Sequence, residues 1–399
     1  MRRDRFFPRR RALADDAAGP RHPFGLGAFV VGLALLTALP VAVKVLRIVV
    51  ASGPSAPFEA VTRRAPRIGD RPSWDPPFAP ELRSAARARA AEGGAEVALY
   101  VSDPERGWWL GIDERRPMYL ASGVKLLFMI ELFRQRHEGK LSFDDELRYG
   151  PEDVRDGAPA MNRLPVGARY PMDELLLYMM RDSDNAAADL LLARLGEVRV
   201  PEELRAEGID EMGPIVPLLD VRLEVYRQLD ARADGLSAWQ LRDVRWRDGF
   251  HPRLDLLKKH IGPPYGTYDE QDLDRAYERY YQRGRNHASM RAMGRLLEKL
   301  AQGELVSRSA STEMIELLEG TWTSGRRVEG RLPAHVRVAH KTGTQHQRIS
   351  DFAILWLPDD TPLVFAIVVA GGERLAAEDV IAELAEMAYH EAWAIASDG

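Results

Sequence analysis

The sequence predicts an α+β fold: an antiparallel sheet built from both ends of one domain, with flanking helices and an inserted all-helical subdomain, preceded by one transmembrane helix. Three observations carry this. Strand-like apolar runs stand near both ends of the domain, at 95–113 and 352–370. The chain between them is mainly helical in its periodicity. Ahead of everything, twenty uncharged residues follow an arginine cluster.

Taken in order, residues 1–23 form a basic tail with seven arginines against three aspartates. FGLGAFVVGLALLTALPVAV (24–43) is then long enough, at about 1.5 Å per residue, to cross the ~30 Å hydrocarbon layer. The arginines hold the tail in the cytoplasm, so 24–50 reads as an uncleaved signal anchor with the remainder extracytoplasmic. Cleavage and secretion is the alternative, though Lys44 and Arg47 follow the apolar run without a clean small-x-small site before Ala51. Residues 51–80, with seven prolines, read as an extended linker.

From 81 to 399 runs one folded domain. LRSAARARAA (82–91) is a helix stopped by Gly93–Gly94. AEVALYVSD (95–103) and RGWWLGID (106–113) are strands about a turn at Asp103–Pro104. VRVAH (336–340) is a further strand, and FAILWL (352–357) and PLVFAIVVA (362–370) pair across Asp359–Asp360. A helix over 376–396 closes the domain, with Val380, Ile381, Leu384 and Met387 at helical spacing.

The net charge of -5 and pI near 6.1 argue against a nucleic-acid binder. With no cysteine, disulfide scaffolds, thiol nucleophiles, thiolate zinc sites and iron–sulfur clusters are excluded. The nine histidines form no H-E-x-x-H, and neither a metal nor another cofactor is called for. An enzyme built on this chain must use an oxygen or nitrogen nucleophile.

Three short motifs supply one. Ser122-Gly123-Val124-Lys125 opens the apolar segment LLFMIELF, which puts Lys125 on the same helical face as Ser122. A buried lysine that loses its proton is a base for that hydroxyl. Ser183-Asp184-Asn185 lies between two apolar helical runs and supplies a second hydroxyl and an amide. Lys341-Thr342-Gly343-Thr344 follows VRVAH; Lys and Thr suit a substrate carboxylate, and Gly permits close backbone approach. Each motif alone is common: a Ser N-cap, a turn, a stray triplet.

Together, S-x-x-K, S-D-N and K-T-G stand in the order and spacing of the class A serine β-lactamase family, which this chain resembles across 81–399. RRPMYLASGVK, EGKLSFDDELRY (138–149), SDNAAADLLLARLG (183–196) and SDFAILWLPDDTPLVFAIVVA (350–370) extend the similarity. The resemblance implies a β-lactamase/transpeptidase-like fold. It also implies that Ser122 is acylated, Lys125 helps remove its proton, Ser183 relays a proton to the leaving nitrogen, and Asn185 holds a substrate amide. Lys341, Thr342, Gly343 and Thr344 would line the carboxylate side, and the backbone N–H groups of Ser122 and Thr344 would form the oxyanion hole, each such donor worth about 3 kcal/mol.

Two departures stand out. The family's E-x-x-L-N signature, whose glutamate activates the deacylating water, is absent. Its nearest echo is Arg222-Leu223-Glu224, some five residues late within LLDVRLEVYRQLDAR (218–232). Glu224 reads either as the catalytic carboxylate or as part of the solvated face of an amphipathic helix. The stretch 230–285 is longer than the family needs. Its aromatics either form a sugar or peptide surface or are buried within a helical insertion.

The leading expectation is a monomeric, membrane-anchored, extracytoplasmic serine hydrolase that acylates Ser122 with a β-lactam and hydrolyses the acyl-enzyme. A D,D-peptidase-like hydrolase acting on cell-wall peptides, with slow β-lactam deacylation, is the alternative. A non-enzymatic binding module is disfavoured, since it needs none of Ser122, Lys125, Ser183, Asn185 and Lys341.

Overall fold

A computed structural model describes residues 75–398, apart from 247–249 and 324. The expected tail, anchor and most of the linker lie outside the described residues.

Five strands form the main sheet: β1 (Ala95–Asp103), β2 (Trp108–Ile112), β3 (Val338–Gln345), β4 (Arg348–Trp356) and β5 (Pro362–Gly371). Their order is β2-β1-β5-β4-β3, antiparallel throughout, with Ala95 opposite Gly371 where the two ends of the domain meet. Both faces are covered, which is why the strands read as continuous apolar runs rather than alternating ones. Val97, Leu99 and Val101 of β1, with Phe365, Ile367 and Val369 of β5, pack under the terminal helices Ala79–Glu92 and Arg374–Asp398. Their even-numbered neighbours Ala98, Tyr100, Val364, Ala366 and Val368 face the helical block. The period of two thus assigns each side chain to one of two cores.

The strand expected at 336–340 starts later and runs through the third motif, Lys341 to Thr344 included. A glycine inside a strand weakens a propensity-based reading. The backbone nevertheless needs it here: a Cβ on Gly343 would lie 2.3 Å from Ser350 Oγ and 2.4 Å from the Leu120 carbonyl oxygen.

The block between β2 and β3 contains the helices Lys125–His137, Met172–Arg181, Asn185–Leu195 and Leu218–Leu229. The long stretch 230–285 folds as helices Ala238–Trp246, Phe250–Ile261 and Glu270–Tyr281. Tyr268, Tyr277, Tyr280 and Tyr281 are buried, whereas Trp239 and Tyr265 are exposed. The insertion buries them largely within itself, and the same cluster reaches beyond it. These tyrosines join Val221 and Val225 of the Leu218 helix and Tyr119 and Ala121 just before the expected nucleophile in one cluster. The rings of Tyr119 and Tyr281 are 4.9 Å apart, and the Tyr281 hydroxyl donates to the His346 carbonyl at 2.7 Å. The insertion therefore braces the nucleophile turn and the β3–β4 hairpin.

Candidate active site

Ser122 sits in a 3₁₀ turn, Ala121–Val124, that runs into the helix beginning at Lys125. Close packing fixes the turn against the sheet. A Cβ on Gly123 would stand 2.1 Å from the Phe352 ring, and Ser350 Oγ donates to the Leu120 carbonyl at 3.1 Å. The second motif follows the Met172–Arg181 helix. Ser183 has a positive φ of 55°, uncommon for a residue with a side chain. Asp184 holds it there: one carboxylate oxygen caps the next helix through the N–H groups of Ala186 and Ala187, and the other accepts from Ala160 and Met161.

These segments and β3 converge. Lys125 Nζ lies 3.4 Å from Ser122 Oγ and 3.3 Å from Ser183 Oγ, and it contacts the Ser183 carbonyl at 2.5 Å and Asn185 Oδ1 at 2.8 Å. From the other side Lys341 Nζ donates to Ser183 Oγ at 2.9 Å and to the Thr342 carbonyl at 3.0 Å. Both amines are buried. Burial pushes Lys125 down to about 7, against the pull of Asp184, Asp189 and Asp156. Burial, with Lys125 as a neighbouring cation, takes Lys341 well below the usual lysine range. A neutral Lys125 has two N–H donors and one lone pair. The Ser183 carbonyl and Asn185 Oδ1 use the donors, which leaves the lone pair for the Ser122 hydroxyl.

Ser122, Ser183, Asn185, Thr342 and Thr344 line a cavity of about 470 Å³. On the carboxylate side the Thr342 and Thr323 hydroxyls are 2.5 Å apart. Arg327, which no sequence motif marks, is fully buried there. Its guanidinium donates to Thr344 Oγ1 at 2.6 Å, to the carbonyls of Gly343 and Ser350, and to Glu378. His340 is a buried strand residue against Asp351, and His346 is a turn residue against Asp274. Neither lines the cavity.

Glu224 does not join this group. It is buried rather than solvated, among Arg227 at 3.1 Å, Arg283 in direct contact and Arg285 at 3.7 Å. The Leu218 helix presents Leu218, Val221 and Arg222 to the cavity instead. Arg222 is ion-paired with Asp156 at 2.7 Å and donates to the Tyr277 hydroxyl. Asp156 also lines the cavity, and its carbonyl accepts from Asn185 Nδ2 at 2.8 Å.

The family model for the β-lactamase enzyme family matches residues 80–392. The β-lactamase VEB-1 of Pseudomonas aeruginosa is 20% identical over 322 residues, covering 78% of this chain and 88% of that one. The carbapenem-hydrolyzing β-lactamase KPC of Klebsiella oxytoca is 29% identical over 301 residues, covering 74% and 83%. Among solved structures, a β-lactamase from Chitinophaga pinensis superposes with a TM-score of 0.58 at 20% identity, covering 79% of this chain and 99% of that one. An ancestral class A β-lactamase gives 0.56 at 22% identity, covering 77% and 98%. With a family model spanning the sheet, the helical block and all three motifs, the chain belongs to the β-lactamase enzyme family and is a serine hydrolase with a class A β-lactamase-like fold.

Proposed function

We propose that the chain is a membrane-anchored, extracytoplasmic hydrolase that opens β-lactams by acylating Ser122. The observation that carries this reading is the Lys125 amine, lowered to about 7 and hydrogen-bonded so that its lone pair serves Ser122. Ser122 Oγ attacks the lactam carbonyl and its proton passes to Lys125. The N–H groups of Ser122 and Thr344 receive the oxyanion. As the tetrahedral intermediate collapses, the carbon–nitrogen bond breaks and Ser183, held by Lys341, hands its proton to the nitrogen while taking up the one carried by Lys125, whose Nζ is 3.3 Å from Ser183 Oγ. Asn185 holds the substrate's amide, while Thr342, Thr344 and Arg327 face its carboxylate; Gly343 leaves room for the strand beside it. The relatives named as β-lactamases support the substrate class.

Anchoring by 24–50 rests on the arginine cluster and the apolar run. Protease added to spheroplasts is expected to degrade the domain; full protection would refute the topology.

The cavity face of the Leu218 helix favours a second reading of the same chemistry, a penicillin-binding, D,D-peptidase-like hydrolase that releases β-lactam products slowly. The experiment for both is intact-protein mass spectrometry after mixing with a penicillin. Wild type should gain the mass of the drug or consume it, and Ser122→Ala should do neither. Label retained on the alanine variant would move the nucleophile elsewhere.

A further inference from the structure

The first turn of the Leu218 helix is bolted to the site. Asp189 lies one turn beyond Asn185 on the same helix, and its carboxylate accepts from the backbone N–H groups of Leu218 and Leu219. That contact sets which residues of the Leu218 helix meet the cavity: Leu218, Val221 and Arg222. Their spacing is i, i+3, i+4, the spacing of Glu, Leu and Asn in E-x-x-L-N. The motif-like echo at Arg222–Glu224 is out of register with this face, and Glu224 is committed to arginines.

We infer that Leu218 and Arg222 stand where the signature carries its glutamate and asparagine, and that the Ser122 acyl-enzyme of this chain is consequently long-lived. The inference rests on the acylation of Ser122 proposed above. Hydrolysis of the ester needs a water oxygen to bond to the acyl carbon while the carbon–Oγ bond breaks. A water proton must also be taken up and one returned to Ser122 Oγ. Leu218 has no lone pair, and a guanidinium does not take up a proton. Two carboxylates line the cavity among the described residues, Asp156 and Asp182. Each is engaged by an arginine at 2.7 Å, Arg222 and Arg181 respectively. Val221 fills the remaining position and adds no polar group. Loss of a positioned general base slows a step by about 10²–10⁴-fold. Acylation keeps its own base in Lys125, so the two half-reactions are separated.

The test uses the full chain and a penicillin, followed by intact mass over hours. The expected result is a near-stoichiometric adduct that persists through the time course. Rapid product release with no adduct would overturn the inference and leave the proposed hydrolase standing. Neither adduct nor product would instead overturn the acylation reading. A second measurement compares Leu218→Glu/Arg222→Asn with Leu218→Gln/Arg222→Asn, two variants that open the wall equally. The glutamate form should clear its adduct at least ~10-fold faster than the glutamine form. Equal clearance in two acylating variants would refute the assignment of position 218, and if either fails to fold, the wild-type lifetime decides.

Discussion

The carboxylate of Asp189 caps the helix that begins at Leu218: Oδ1 accepts from the Leu218 N–H at 2.7 Å and Oδ2 from the Leu219 N–H at 3.0 Å. Arg155 Nε donates to the same carboxylate at 2.8 Å, and both side chains are nearly inaccessible. Asp189→Ala strands a buried guanidinium and two backbone donors together. A loss of about 3–5 kcal/mol is expected from urea unfolding. Asp189→Asn, which still accepts a hydrogen bond, should lose less.

Lys125 predicts a pH profile. Protonated, the amine has no lone pair for Ser122, so acylation should rise with pH through about 7 and then level off. Pre-steady-state acylation by a chromogenic β-lactam measures this. Lys125→Met should lower the rate by about 10²–10⁴-fold and remove the limb. Stability carries the same sign. Between about 7 and 10.5 the unfolded lysine binds a proton that the folded one has lost. Wild type should therefore gain stability relative to Lys125→Met as pH rises across that window. An unchanged acid limb in Lys125→Met would assign it to another group.

Gly343→Ala tests the close approach of β3 to the nucleophile turn. The added methyl would meet Ser350 Oγ and the Leu120 carbonyl at 2.3 and 2.4 Å, and neither atom is the end of a long, flexible side chain. Overpacking of this kind costs about 1–3 kcal/mol. Thermal unfolding should shift down, and acylation should fall because the turn holding Ser122 is displaced.

Arg327 predicts a substrate-dependent loss. Arg327→Lys keeps the charge but gives up the planar fork that reaches Thr344 Oγ1 and two carbonyls together. Acylation by a penicillin should weaken more than acylation by its methyl ester, with the difference in KM rather than in kcat. Equal losses for both substrates would reduce Arg327 to a structural support.

Much of the site is legible in the sequence because its parts are local. Ser122 and Lys125 share a helical face three residues apart, and Ser183 and Asn185 flank one capping aspartate. The sheet is legible because both faces are covered, so AEVALYVSD and PLVFAIVVA stand out as apolar runs. The rest depends on contacts between distant segments. Arg327 is one arginine in a turn-like stretch until the fold buries it beneath Gly343 and Ser350. The Leu218 wall is misread by motif matching because its register comes from Asp189, on another helix, and not from local spacing. A scan for cavity-face spacing at i, i+3, i+4, without insisting on Glu and Asn, would have reached Leu218, Val221 and Arg222. The insertion's aromatics likewise find some of their partners outside the insertion, among them Tyr119, Val221 and Val225.

The pairing of Ala95 with Gly371 has a consequence for how the molecule is made. β1 and β2 are translated before the helical block, yet the neighbour that completes β1 is β5, the last strand in order among the described residues. Until it arrives, the hairpin presents a bare row of backbone donors and acceptors, the kind of template that recruits other chains. Closing contacts between such remote segments is slow compared with forming the helices between them. The helical block can therefore be in place while the sheet is still open, and the last strand acts as the bolt. Only when that strand pairs is the strand carrying Lys341 joined through the sheet to β1, with Lys341 against Ser183. A chain stopped before Pro362 would hold every motif and no assembled site.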